Sequence, residues 1–176
     1  MTLRRGVMNS HMRKALALPQ GVGFCVPLPG DLLKSPAWLA MSVQCRKFTD
    51  ALMAEHADHG GLENRNLKAP YDMLEARGMR RQTVLDAIVE AKALGLVDPR
   101  RGQRSYGSRR APSVYRLTWL GTPDGLTPLH EWKAIKNLEQ AETSVLSALE
   151  DLERERERKR KTRTKYAADR AAERTA

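Results

Sequence analysis

Four consecutive residues, Arg80, Arg81, Gln82 and Thr83, combine side chains suited to reading base-pair edges. Arginine pairs bidentately with guanine O6 and N7, glutamine with adenine N6 and N7, and threonine reaches a phosphate or a thymine methyl. The four follow Leu74-Glu75-Ala76-Arg77-Gly78-Met79 and precede Val84-Leu85-Asp86-Ala87-Ile88. A short helix, a glycine turn and a longer helix form the unit that points the second helix's first residues outward. An ordinary solvated helix face would also be polar, but here the polar side chains cluster where the helix begins and apolar ones follow. A second group, Arg100, Arg101, Arg104, Arg109 and Arg110, lies in a glycine-containing stretch with no acid, residues 99–112. Guanidinium groups on such a loop can grip phosphates or enter a narrow minor groove. Lys68 and Arg77 are further candidate phosphate contacts. The ligand expected of these groups is double-stranded DNA.

These side chains need elements to hold them. Ser35 before Pro36 is a helix start, because serine caps the first turn and proline loses nothing at the first helical position. One helix is expected from there to Gly60-Gly61, burying Ala37, Met41, Cys45, Phe48 and Leu52. Ahead of it, residues 24–29 are apolar with two prolines and read as an extended lead-in. Leu67-Lys68-Ala69 is a short strand, and Pro70 opens a second helix with Tyr71, Met73 and Leu74 inward. The third helix buries Val84, Ile88, Ala91 and Leu94, and Gly95 ends it. Strands at Leu96-Val97-Asp98 and at residues 114–120 flank the arginine loop. The expected fold is mainly α with a small β-hairpin wing, a winged helix-turn-helix over residues 24–121, followed by a long C-terminal helix.

The remaining segments are a basic flexible arm (1–23), a linker (122–127), a long amphipathic helix (128–160) and a basic tail (161–176) whose cations add non-specific DNA affinity. Ile135, Leu138, Val145, Leu149 and Leu152 form the long helix's apolar seam, interrupted by Glu142. That seam suits a homodimer first, since regulators of this fold usually read two half-sites. Docking on its own domain and exposure as a basic arm are the other readings. Trp132 is expected to pack the long helix back onto the domain.

Composition narrows the partner. The 176 residues include 31 Lys+Arg against 21 Asp+Glu, a net charge of +10, which points to a polyanion. Aromatic residues are only 5%, too few for a stacked RNA platform. No stretch approaches the roughly 18 apolar residues of a membrane span, so no membrane partner is expected. Two cysteines, Cys25 and Cys45, suit a reducing cytoplasm without a disulfide framework. Glu55-His56-Ala57-Asp58-His59 places two imidazoles near a helix end, yet no second ligand pair follows at zinc spacing. No nucleophile elbow, phosphate-cradling loop or paired acidic cluster is present in the sequence. No cofactor, no metal and no enzymatic activity are expected.

Residues 24–132 resemble winged helix-turn-helix proteins of bacterial plasmids, phages and integrated mobile elements, including N-terminal domains of replication initiators. The likeness rests on Ser35-Pro36-Ala37-Trp38, Gly60-Gly61-Leu62-Glu63-Asn64, Gly78-Met79-Arg80-Arg81-Gln82-Thr83, Leu94-Gly95-Leu96-Val97 and Tyr115-Arg116-Leu117-Thr118-Trp119. The resemblance implies duplex DNA binding through the third helix and the wing. In such proteins a small capping residue often stands where Arg80 sits here. A transcriptional regulator is the first expectation, and an accessory factor of replication initiation that binds origin repeats is the second. A helical adaptor or RNA-binding protein is a third, from a different class.

Overall fold

A computed structural model of the chain describes residues 24–100, 102 and 113–173. After a short α1 (Gly30–Leu33), Ser35 caps α2 (Pro36–Leu39), its hydroxyl accepting from the Trp38 amide at 3.2 Å. The single helix expected from Pro36 is in fact two. Ser42 is a second cap, accepting from the Cys45 amide at 3.1 Å, and α3 (Val43–Asp58) starts there. The break is held from outside. The Glu90 carboxylate accepts from both the Ser42 amide and its hydroxyl, each at 2.6 Å, which ties up groups a continuous helix would need.

Helix α3 buries Cys45, Phe48, Thr49, Ala51, Leu52 and His56. A strand β1 (Leu67–Lys68) leads into α4 (Tyr71–Ala76), where Leu74 is buried but Tyr71, expected inward, is exposed. A 3-10 turn (Arg81–Thr83) precedes α5 (Val84–Ala93). Strands β2 (Val97–Arg100) and β3 (Val114–Leu117) complete an antiparallel sheet in the order β1-β3-β2. The described chain is therefore mainly helical with one small three-stranded sheet.

The core lies between α3, α4, α5 and one face of that sheet. Phe48 meets Tyr115 edge-on at 5.2 Å between ring centres, surrounded by Leu52, Leu67, Leu74, Val84, Leu94, Leu96 and Leu117. The last strand, expected over residues 114–120, stops at Leu117 because Asn64 takes over its backbone partners. The buried Asn64 side chain accepts from the Leu117 amide at 2.8 Å. It donates to the carbonyls of Leu117, Leu120 and Gly121 at 3.1, 3.0 and 2.9 Å, which turns the chain. Residues 122–127, read above as a linker, are tied to the body: Thr122 is buried, Arg65 pairs with Asp124, and Arg116 donates to the Thr127 carbonyl.

The long helix differs most from expectation. It is α6 (Leu138–Glu173), starting later than residue 128 and continuing past residue 160. Its start is displaced because residues 131–134 form a 3-10 turn and Ile135 is extended. Asn137 then accepts from the Gln140 amide at 2.8 Å and caps the helix, while the Gln140 side chain accepts from the Lys136 amide at 2.7 Å, one residue ahead of the cap. Its far half lacks an apolar stripe but is laced by Asp151–Arg154, Glu153–Arg156, Glu155–Lys159 and Glu157–Arg160 pairs three or four residues apart.

Helix α6 docks on α5. Gly95, just past the end of α5 at φ +67°, lets the Glu131–Trp132 backbone approach so closely that an added Cβ would lie 2.6 Å from the Trp132 amide nitrogen. Trp132 is buried, as the sequence reading expects. Ala141 and Val145 continue the contact, and Arg156 meets Asp86 in the first turn of α5 at 2.7 Å. The two helices therefore run antiparallel.

Candidate nucleic-acid interface

The corner between α4 and α5 is built from backbone outward. Gly78 adopts φ +74°, and the Met79 amide donates back to the Leu74 carbonyl at 3.0 Å, which closes α4 and plants Met79 in the core. Lys47 of α3 donates to the Gly78 carbonyl at 2.9 Å and fixes the turn to the body. Thr83 then folds back, its amide and its hydroxyl both donating to the Arg80 carbonyl at 2.9 Å. These bonds make residues 81–83 a 3-10 turn. Arg80, Arg81, Gln82 and Thr83 accordingly lie on the turn in front of the longer helix and not in its first turn. Arg80 supplies no capping side chain.

The four side chains are not equivalent. The Arg81 guanidinium lies 4.9 Å over the Tyr71 ring and 3.8 Å from both Asp72 and Glu75. It remains 62% exposed, so the carboxylates hold it loosely. The Thr83 hydroxyl spends its proton on the Arg80 carbonyl. Arg80 and Gln82 are exposed, and neither side chain has a partner among the described residues. Arg77, at the end of α4, is exposed beside Asp50. Burial pushes the Asp50 carboxyl up, and Arg46 and Arg77 oppose that shift.

A second cationic edge lies at the sheet. Lys68 and Arg100 are each paired with Val114, one on either side. Residues directly opposite on neighbouring strands share a face, so these two cations flank Val114 on one face. The adjoining row of Leu67, Tyr115 and Pro99 faces the other way, into the core. The two edges are connected through α4. Burial raises the Tyr115 phenol and nearby Tyr71 adds to the shift, while Tyr71 itself carries Arg81. Arg101, Arg104, Arg109 and Arg110 lie outside the described residues.

The apolar seam of the long helix is used within the chain. Ile135 is buried in the chain's own core and Val145 packs against that core. Leu149 and Leu152 are half-buried, and Leu138 is 47% exposed. Docking on its own domain is thus the arrangement that the structure contains. His56 is buried edge-on to Phe24, with its Nδ1 unpartnered, and burial lowers its pKa. His59 turns its Nδ1 to the Glu55 carbonyl at 2.9 Å. Among the described residues no three His, Cys, Asp or Glu side chains group as metal ligands. No helix among them is long and apolar enough to cross a membrane.

Sequence reasoning missed Lys47, Tyr71 and the Asp86–Arg156 pair as parts of this site. Tyr71 and Glu75 share a helix face at i, i+4 spacing, a signal that could have placed Tyr71 beside the turn. Arg156 was hidden in the Glu–Arg alternation. The chain matches no family model, no curated protein and no solved structure.

Proposed function

We propose that this chain binds double-stranded DNA with sequence preference, as a non-enzymatic winged helix-turn-helix regulator of a mobile element, working in the cytoplasm. The observation that carries the reading is the rigid corner in front of α5, which leaves Arg80 and Gln82 unpartnered and exposed while Lys47 and Gly78 fix its backbone. Base reading falls to Arg80 and Gln82. Arg81 reaches a base or a phosphate only by leaving Asp72 and Glu75, a cheap exchange for an exposed pair. Lys68, Arg77 and Arg100 meet backbone phosphates.

The test begins with selection of bound duplexes from a random pool, followed by binding to the selected site and to single-stranded RNA of equal length. The selected duplex should win. Arg80→Ala should cost about 1–3 kcal/mol on that site and relax preference at one base step. Arg100→Ala should weaken all duplexes alike and lower the salt slope by about one unit. Equal affinity for the RNA, or two variants that bind as the parent does, would overturn the reading.

A further inference from the structure

Helix α6 passes the end of α5. The two helices run antiparallel, and Arg156 already lies beside Asp86, in the first turn of α5. Residues 157–173 of α6 therefore extend beyond the end of α5 at which Arg80–Thr83 stand, by about 25 Å at 1.5 Å per residue. The docked stripe of α6 changes character at that point. At about 100° per residue, Ala141, Val145, Ala148 and Leu152 share one line along the helix, and the same line continues through Lys159, Arg163, Tyr166 and Arg170. The stripe is apolar where α6 leans on the domain and cationic where it overhangs.

We infer that this overhang is a second grip on nucleic acid, with Lys159, Arg163 and Arg170 facing duplex phosphates that flank the groove entered by the Arg80–Thr83 turn. The inference rests on the duplex-binding reading above and adds to it where a further contact falls. Arg163 and Arg170 have no partner among the described residues, and Tyr166 is 67% exposed between them. Lys159 pairs with Glu155 at 2.5 Å, an exposed pair that a phosphate can replace at little cost. On the other faces Arg160 and Lys161 share Glu157, which neutralises much of their charge. Chain direction and charge thus meet on the stripe: Arg163 and Arg170 lie without local partners on the side continuous with the docked face, and off that side Arg158 is the cation that also lacks one among the described residues. Spread along the duplex axis, the overhang spans at most about seven base pairs.

The test uses the full chain with three exposed cations neutralised at a time. One variant is Lys159→Gln/Arg163→Gln/Arg170→Gln, and its control is Arg158→Gln/Arg160→Gln/Lys161→Gln. Affinity for a mixed-sequence duplex of about 40 base pairs, long enough for turn and overhang together, is measured across a salt series. The stripe variant should lose about three units of salt slope, and the control less than half of that. Nuclease protection by the stripe variant should shorten on one flank and keep its core. Equal losses in the two variants would mean diffuse tail charge and overturn the inference. So would an unchanged slope, or tighter binding by the stripe variant, which would mean that the overhang obstructs the duplex. A parent chain that fails to bind duplex removes the underlying reading instead, an outcome distinct from all of these.

Discussion

The α4–α5 corner and the C-terminal helix α6 are both helical and both rich in arginine, but they are held in opposite ways. The corner is enclosed. Leu74, Met79, Val84, Ala87 and Ala91 are buried, glycines end both of its helices, and Lys47 and Glu90 bond across to neighbouring elements. Only its front edge is open. Helix α6 has Ala141 as its fully buried apolar residue among those described, and beyond Arg156 it is sustained by ion pairs along its own surface. The difference matches two kinds of contact. Reading a base edge demands a backbone held in register under the side chains that reach it, whereas phosphate contacts position a protein without carrying sequence information. A core-anchored corner suits the first task and a lightly held cationic helix the second.

Breaking the core should separate the two regions most sharply. Phe48→Ala removes the ring that packs on Tyr115 under the corner, and should cost about 3–5 kcal/mol in denaturant unfolding. Specific duplex binding should disappear with it, while part of the α6 helicity survives by circular dichroism. If binding persists at full strength, the corner does not depend on that core.

Acid should act on the same body with a smaller effect. Burial lowers the pKa of His56 from the ordinary 6.5, so in the window just below 6.5 the unfolded chain binds more protons than the folded one. The stability that the neutral imidazole contributes is present above 6.5 and is lost as the pH falls through the lower folded value. The melting temperature should therefore drop between pH 7 and 5. His56→Phe should flatten that slope, and an unchanged slope would remove His56 as its source.

The smallest change belongs to the link between the regions. Arg156→Ala should alter global stability by no more than about 1 kcal/mol, since both partners are 39% exposed. Its signature is local. Amide exchange in α6 beyond Leu152 should speed up while α5 stays protected, and pairing the change with Asp86→Asn should bring little further loss. Uniform acceleration through α5 would mean that the corner leans on α6 after all.

Much of the corner was legible beforehand because its signals are local. Gly78, Pro70, the apolar period of Val84, Ala91 and Leu94 (with Ile88, which is only partly buried), and the arginines in front of it are each readable from a few neighbouring residues. The first strand and the Ser35 cap were equally plain. The division of the first long helix was not, because it requires Glu90, far away in sequence, to reach Ser42. The end of β3 likewise depends on Asn64. The start of α6 had a local signal in Asn137-Leu138-Glu139-Gln140, a cap that the apolar seam at Ile135 and Leu138 obscured.

Residue type and spacing by themselves determined that this chain carries surplus positive charge, which stretches are helical or extended though not where each one begins and ends, and which arginines stand in front of the third helix. Only the tertiary structure decided that Arg81 is shared with Tyr71, Asp72 and Glu75 while Arg80 and Gln82 are left free, and that α6 lies against α5 and overhangs it. The physical reason is range. Helix caps, turns and periodicity are settled over a few residues of backbone, whereas the partner of an exposed cation is set by whichever distant carboxylate or ring the packed core brings within reach.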